Sequence, residues 1–188
     1  MESEKPKVIF LGDAGVGKTS IINAQKEDPI DARPTITTDH FLLTINDRIF
    51  DIYDTAGQER FRSISDIYFK VAWIAVIVFD LNDIKSFNGL EYFIEKLLET
   101  NSNNPKVILV GNKNDLDSVI DKAKIDEFKA KYNISDYFST SAISKSGIND
   151  LFNCIYECAD SIQIPSTEGV VHVRQSGEPN GEGKSNCC

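Results

Sequence analysis

The sequence predicts an α/β fold with a largely parallel sheet. Short apolar runs alternate with segments of helical periodicity along most of the 188 residues. The first strand-like run, residues 7–11, leads through a glycine-rich loop into a helix at about residues 17–25. The run at residues 71–81 is apolar almost throughout, which is typical of a strand covered on both faces. These patterns predict six strands, about five flanking helices, and a sheet that is parallel apart from one hairpin at its edge.

The remaining elements follow in order along the chain. Residues 26–34 are polar and contain two prolines, which predicts a loop. The strand-like runs at 39–45 and 48–53 are separated by Asn46 and Asp47 alone, so we expect an antiparallel hairpin. The other predicted helices are a short one ending near residue 70 and longer ones at about 86–100, 120–131 and 148–162, and the other predicted strands are at 106–110 and 137–140.

Composition and charge limit the classes of function. The net charge is −9, and no basic stripe is present to contact phosphate backbones, so we expect no nucleic-acid partner. No apolar run reaches the length of about 18 residues that spans a bilayer, and residues 1–6 are not expected to act as a secretory signal. We expect residues 1–6 to be an N-terminal extension, 7–164 the folded domain and 165–188 a flexible tail.

The segment 12–19, Gly-Asp-Ala-Gly-Val-Gly-Lys-Thr, has the pattern of a phosphate-binding loop between a strand and a helix. Backbone N–H groups of such a loop surround an anion at the positive end of the helix. Lys18 can reach terminal phosphates, and the Thr19 hydroxyl is a suitable ligand for Mg²⁺. A glycine turn with a solvated lysine is the alternative. The residues expected to hold the phosphates are Gly15, Val16, Gly17, Lys18, Thr19 and Ser20.

A second group of candidate residues follows the third strand. Asp54 is expected just past this strand, where its carboxylate can hold Mg²⁺ directly or through water. Gly57 lets a backbone N–H approach the terminal phosphate, and the Gln58 amide can orient a water for attack on the γ-phosphate. Taken alone, Asp54 is equally well explained as a strand-end cap or a solvated acid.

Asn112, Lys113 and Asp115 form a candidate base-binding loop after the fifth strand. A carboxylate such as Asp115 can accept hydrogen bonds from N1–H and the exocyclic amine of guanine, whereas adenine presents an acceptor at N1. Lys113 can lie along the base, and Asn112 can tie this loop to the phosphate loop, although the tetrapeptide alone is also a plausible turn. Ser141 and Ala142, after the sixth strand, are a further candidate for this site. All four loops should meet at the carboxyl edge of the sheet.

Together, these motifs resemble those of the Ras superfamily of small GTPases, over about residues 7–163. Residues 59–64 and 79–87 are similar to the Rab branch. The resemblance implies a P-loop NTPase G domain that binds GTP or GDP with Mg²⁺ and hydrolyses GTP, with Gln58 and Lys18 as catalytic residues. It also implies a monomeric switch in vesicle traffic that is served by exchange factors, GTPase-activating proteins and effectors. A nucleotide-binding scaffold with little hydrolysis is the alternative.

The segment that corresponds to the first switch region of the family, about residues 28–40, departs from the family pattern. The family places a magnesium-ligating threonine here, and this chain offers Thr35, Thr37 and Thr38. The register of the Rab pattern favours Thr35. Ile143 stands where the family prefers lysine, so the resemblance implies backbone contact of this residue to the base. Arg33 raises the hypothesis of an arginine acting in cis on the transferred phosphoryl group, against an exposed loop arginine as the alternative.

The four cysteines form two pairs. Cys187 and Cys188 end the chain, as in Rab proteins that carry geranylgeranyl groups. This resemblance implies a prenyl-carrier partner and attachment to the cytoplasmic face of an intracellular membrane, with a cytosolic pool; two unmodified exposed thiols are the alternative. Cys154 and Cys158 are four residues apart in a predicted helix. They are most simply half-buried packing residues, and their spacing alone does not establish a metal site.

Overall fold

The computed structural model describes residues 4–28, 35, 38–55 and 66–162. The described residues form a six-stranded sheet in which β2 and β3 pair antiparallel and the other neighbours pair in parallel. This confirms the predicted α/β fold with one edge hairpin. The strands are β1 (Lys7–Leu11), β2 (Asp39–Ile45), β3 (Arg48–Asp54), β4 (Ile74–Asp80), β5 (Lys106–Asn112) and β6 (Asp136–Ser139), in the spatial order β2-β3-β1-β4-β5-β6.

Helices cover both faces of this sheet. They are α1 (Lys18–Lys26), α2 (Asp66–Val71), α3 (Ile84–Asn88), α4 (Leu90–Thr100), α5 (Lys122–Lys131) and α6 (Ile148–Ser161). Apolar residues of α1 and α6 pack on one face, whereas those of α2 to α5 pack on the other. All seven residues of β4 are buried, because this strand lies near the middle of the sheet between the two layers. Within the described part of the chain, no helix is both long and apolar enough to cross a membrane.

The single helix predicted at residues 86–100 is wrong, because the structure has two helices separated at Gly89. The first begins earlier, at Ile84, where the Asp83 carboxylate accepts a hydrogen bond from the backbone N–H of Lys85 at 2.9 Å. A Cβ at Gly89 would lie 2.6 Å from a carboxylate oxygen of Asp13. The absence of a side chain at Gly89 therefore lets this part of the chain lie close to the phosphate loop.

The boundaries before β4 and before α5 also differ from the predictions. Residues 71–73 lie outside β4, since α2 extends to Val71 and the strand begins at Ile74. The fifth helix begins at Lys122 rather than at residue 120, because the Asp121 side chain caps it by accepting a hydrogen bond from the N–H of Ala123 at 3.3 Å. Both differences leave the strand order unchanged.

Candidate functional site

The loop between β1 and α1 is packed against two neighbouring strands. Gly12 and Gly17 have φ angles of +139° and +97°, a region that favours glycine. A Cβ at Gly12 would overlap the backbone carbonyl of Val78 in β4, and a Cβ at Gly17 would overlap the side-chain amide of Asn112 at the end of β5. Glycine is therefore required at both positions for the loop to lie this close to the sheet.

The ammonium group of Lys18 lies inside this loop. Lys18 is 6% exposed, and its Nζ donates hydrogen bonds to the backbone carbonyls of Gly12 at 2.9 Å and Asp13 at 3.0 Å. Burial lowers the pKa of Lys18 to about 8, although the charges of Asp54 and Asp13 act in the opposite direction. A desolvated cation at the start of a helix is well placed to be neutralised by an anionic ligand.

Three oxygen-bearing side chains meet beside Lys18. The Thr19 hydroxyl donates to Oδ2 of Asp54 at 2.5 Å, and the Oγ1 atoms of Thr19 and Thr35 are 2.7 Å apart. Asp54 is 1% exposed, and its Oδ1 has no hydrogen-bond partner among the described residues. Burial raises the pKa of Asp54, opposed by the Thr19 hydrogen bond and the charge of Lys18. Hydroxyl and carboxylate oxygens are the ligands that Mg²⁺ prefers, so this set fits that ion.

Asp54 is the last residue of β3, whereas the sequence placed it just past the strand. Its register partner in the neighbouring strand β1 is Phe10, next to the phosphate loop. Thr55, one residue later, is buried and donates its hydroxyl proton to the backbone carbonyl of Phe10 at 2.7 Å. This bond fixes the end of β3 beside β1 and so positions the Asp54 carboxylate.

Asn112 links three loops at this edge of the sheet. It is the last residue of β5 and is 2% exposed. Its Nδ2 donates to the backbone carbonyl of Val16 at 2.9 Å, and its Oδ1 accepts a hydrogen bond from the Thr140 hydroxyl at 3.2 Å. Asn112 therefore ties the end of β5 to both the phosphate loop and the loop after β6.

Lys113 and Asp115 follow on the surface of this loop. Lys113 has a φ of +65°, and its Nζ forms a 2.6 Å ion pair with Oδ2 of Asp80 at the end of β4. The backbone carbonyl of Lys113 accepts a hydrogen bond from the Asn82 side chain at 3.3 Å. Asp115 is exposed, so its carboxylate is accessible to a ligand. The loop is thus held by its first residues, and its acidic end faces solvent.

The loop after β6 is stabilised mainly by its own backbone. Ser141 is fully buried; its Oγ accepts a hydrogen bond from the N–H of Ser144 at 3.1 Å, and its N–H donates to the carbonyl of Ser146 at 3.0 Å. Ala142 is also buried, whereas Ile143 is 75% exposed. Ser141 therefore anchors the loop in the interior, and Ile143 lies at the surface.

The comparisons with known proteins agree with this arrangement. A model described as the Ras family matches residues 7–161. The chain belongs to the Ras family. It is 34% identical to a Ras-related protein Rab7 of Cenchrus ciliaris, with 97% of this chain and 96% of the relative covered. It is 37% identical to a Rab7 of Glycine max (96% and 95% covered) and 38% identical to RABG3b of Arabidopsis thaliana (81% and 82% covered). These similarities confirm the predicted Rab branch.

Some predicted residues of this Rab-branch protein lie outside the described residues. They are Arg33, Thr37, Gly57, Gln58, Cys187 and Cys188, together with the predicted tail at 165–188. Of the threonines in the first switch region, Thr35 and Thr38 are described. Thr35 is the one for which a hydrogen bond to the Thr19 hydroxyl is observed.

Sequence reasoning missed two polar residues of the site. Asp80 ends β4 and pairs with Lys113, and Thr140 is fully buried against Asn112. Asp80 could have been predicted from the sequence, since an acidic residue at the end of a buried strand falls on the same edge of the sheet as the other motifs. Thr140 could not, because its role depends on contact with Asn112, 28 residues earlier in the chain.

A row of stacked rings joins β2, β3 and α2. His40 stacks on Tyr53 with ring centroids 4.8 Å apart, and Tyr53 contacts Tyr68 of α2 at the same distance. The Nε2 atom of His40 is 3.3 Å from a carboxylate oxygen of Asp51. His40 is thus part of an aromatic surface and adds a polar group to it.

The buried ammonium of Lys18 predicts a pH dependence of stability in the nucleotide-free protein. Folding lowers the pKa of Lys18 from 10.5 to about 8, so between these pH values the unfolded state binds more protons. Between these two pKa values, the contribution of Lys18 to the free energy of unfolding should rise with pH, by up to about 1.4 kcal/mol per unit. Below the folded-state pKa, Lys18 is protonated in both states, so its contribution no longer varies with pH and the cost of burying the charge is fully present.

Urea unfolding across this pH range, with Lys18→Met as the reference, tests this expectation. The variant lacks the titrating group, so the wild-type protein should gain stability relative to it as pH rises. A difference between the two proteins that does not vary with pH would contradict the prediction.

Proposed function

We propose that this small GTPase binds GTP or GDP together with Mg²⁺, hydrolyses GTP and thereby acts as a switch in vesicle traffic. The observation that carries the proposal is the meeting of three groups at one sheet edge. These are the buried ammonium of Lys18, the oxygens around Asp54 and the loop tied down by Asn112. A nucleoside triphosphate is bound by a cation at its phosphates, oxygen ligands for its Mg²⁺ and a loop that contacts its base.

The phosphate groups would be held by the loop and the first turn of α1. Support comes from the buried position of Lys18 and from the close packing of Gly12 and Gly17 against the sheet. Lys18 would act on charge that develops on the terminal phosphoryl group, and so has a catalytic as well as a binding role. The residues proposed to cradle the phosphates are Gly15, Val16, Gly17, Lys18, Thr19 and Ser20.

Mg²⁺ would be held by Thr19, Thr35 and Asp54. Support comes from the convergence of their oxygens and from the buried Oδ1 of Asp54, which is unpaired among the described residues. When bound, Mg²⁺ neutralises negative charge on the β- and γ-phosphates. The hydrogen bond of Thr19 to Asp54 orients both groups, so the protein supplies the oxygen cluster already assembled.

The guanine base would be read by Asp115, with Lys113 along the base and Asn112 holding the loop in place. Support comes from the exposure of Asp115 and from the ion pair that fixes Lys113. A carboxylate accepts hydrogen bonds from N1–H and the amine of guanine, whereas adenine does not offer both donors. Backbone groups of Ser141, Ala142 and Ile143 would complete the base site.

Hydrolysis would depend on Gln58, which orients the attacking water, and on Gly57, whose N–H would approach the γ-phosphate. We expect measurable single-turnover release of γ-phosphate from the wild-type protein and release slower by about tenfold or more in Gln58→Leu, because the leucine cannot hydrogen-bond water. The rates are to be compared at saturating GTP.

The alternative proposal is a scaffold that binds nucleotide with little hydrolysis, and it is favoured by the altered first switch region. This alternative predicts equal, slow release from both proteins in that experiment. Equal GTP affinity of the two proteins is the control, since it shows that the substitution changed hydrolysis and not binding.

Membrane attachment is proposed through lipid groups on Cys187 and Cys188. Support comes from the Rab branch and from the adjacency of the two cysteines. Two lipid chains anchor a protein firmly, whereas one binds only marginally. The protein would then alternate between the cytoplasmic face of an intracellular membrane and a cytosolic pool carried by a prenyl-binding partner. Exchange factors, GTPase-activating proteins and effectors are the other proposed partners.

A further inference from the structure

A second cluster of side chains that can bind a metal lies at the opposite ends of the strands from the phosphate loop. Asp136 begins β6, whereas the nucleotide-site loops follow the ends of the parallel strands. Cys154 and Cys158 lie one turn apart on α6, and their sulfurs are separated by 3.9 Å. Both sulfurs and a carboxylate oxygen of Asp136 lie within 4.8 Å of one another, and all three residues are partly exposed. The cluster is therefore accessible from solvent.

We propose that Cys154, Cys158 and Asp136 bind a zinc ion, with water as the fourth ligand. Two thiolates bound tetrahedrally to Zn²⁺ at about 2.3 Å lie about 3.8 Å apart, close to the 3.9 Å between these sulfurs. A thiolate and a carboxylate oxygen on the same ion lie about 3.6 Å apart, which a small side-chain rotation achieves here. Two sulfurs and one carboxylate oxygen select a borderline-soft cation over Mg²⁺ or Ca²⁺.

The surroundings orient the ligands and balance the charge. Residues four apart on a helix share one face, so the helix itself sets the sulfur separation. Lys106 Nζ and Ser135 Oγ each donate to Oδ2 of Asp136 at 2.7 Å, which orients the carboxylate as outer-shell groups of metal sites do. Two thiolates, one carboxylate and Zn²⁺ together carry one negative charge, and the Lys106 ammonium offsets it.

A disulfide between the two cysteines fits the geometry less well. It requires a sulfur separation of about 2.05 Å, so the helix would have to distort to close the gap. A cation that replaces both thiol protons is compatible with the observed separation.

The proposal can be tested with Co²⁺ as a spectroscopic probe for Zn²⁺. The protein is the 188-residue chain with Cys187→Ser and Cys188→Ser, which leaves Cys154 and Cys158 as its cysteines. It is kept reduced and loaded with GDP in excess Mg²⁺, so that the nucleotide site is filled. We expect one equivalent of Co²⁺ to produce a sulfur-to-cobalt charge-transfer band and tetrahedral visible bands, and Zn²⁺ to abolish both. Co²⁺ in an oxygen-only site gives no sulfur band.

Two variants test the proposed ligands, and a third serves as a control. Cys154→Ser with Cys158→Ser should remove the sulfur band, and Asp136→Asn should weaken Co²⁺ binding by about tenfold or more. Asp160→Asn is the matched control, because it removes a carboxylate of the same helix that pairs with Arg48 at 2.5 Å. Retained GDP shows that each variant is folded.

Two results would overturn the proposal: no sulfur band in the starting protein, or a band that survives both serine substitutions. Equal Co²⁺ binding by Asp136→Asn and Asp160→Asn would overturn the assignment of the carboxylate as a ligand.

Discussion

Replacing Lys18 with methionine is expected to lower the affinity for GTP and GDP by about 100-fold or more. The ammonium is buried, and within the described structure its hydrogen bonds go to backbone carbonyls of Gly12 and Asp13. Its positive charge is therefore available to phosphate oxygens in a site shielded from water. Methionine keeps most of the length and apolar surface of the side chain but removes the charge. Titration of each protein with a fluorescent GDP analogue measures the loss.

The same substitution should not destabilise the nucleotide-free protein near neutral pH. A buried cation costs desolvation free energy, as the lowered pKa of Lys18 indicates, and methionine removes that cost. Lys122→Met is the matched control, since Lys122 is exposed at the start of α5 and should leave nucleotide affinity unchanged. An unchanged affinity in Lys18→Met, or a fall in unfolding free energy large enough to account for the lost binding, would contradict the assignment of Lys18 to the phosphates.

Asn112→Ala is expected to lower both stability and nucleotide affinity. The substitution leaves the backbone carbonyl of Val16 and the hydroxyl of Thr140 without the partner observed here. Both groups are in a buried region, so the free energy of unfolding should fall by about 1–3 kcal/mol. The same amide holds the phosphate loop against the base-binding loop, so the substitution should also weaken nucleotide binding. A loss of similar free energy in the bound state lowers GDP affinity by about tenfold or more. Urea unfolding and GDP titration measure the two effects.

Asn114→Ala is the matched control for that experiment. Asn114 lies two residues further along the same loop, is only partly buried, and its side chain donates to the Ser139 hydroxyl at 3.3 Å. We expect its effect on stability to stay within about 0.5 kcal/mol. If Asn112→Ala and Asn114→Ala behaved alike, the linking role of Asn112 would be wrong.

Local patterns predicted the secondary structure well wherever adjacent residues determine it. The hairpin follows from Asn46 and Asp47, which both adopt positive φ, at 45° and 65°, as a tight two-residue turn requires. The pattern of β4 is fully apolar because both of its faces are covered. The break at Gly89 was not predicted, and neither was the close approach of Asp13, which is remote in sequence, to this glycine.

For the site, the sequence identified the types of residue and predicted that they meet at the carboxyl edge of the sheet. It did not identify their hydrogen-bond and ion-pair partners. It predicted that Asn112 ties the base-binding loop to the phosphate loop, and the structure gives the acceptor as the carbonyl of Val16. It did not predict the pairing of Lys113 with Asp80. Likewise, the helical spacing of Cys154 and Cys158 was visible, whereas the approach of Asp136 was not.

The sequence by itself thus determined the α/β class, the phosphate loop and the order of the motifs along the chain. These depend on periodicity, turn residues and short motifs, all of which act between neighbours in sequence. The tertiary structure alone decided which groups face one another, from the oxygens of Thr19, Thr35 and Asp54 to the thiol pair beside Asp136. The physical reason is that strand order brings distant residues together, and only packing fixes the distances at which their side chains act.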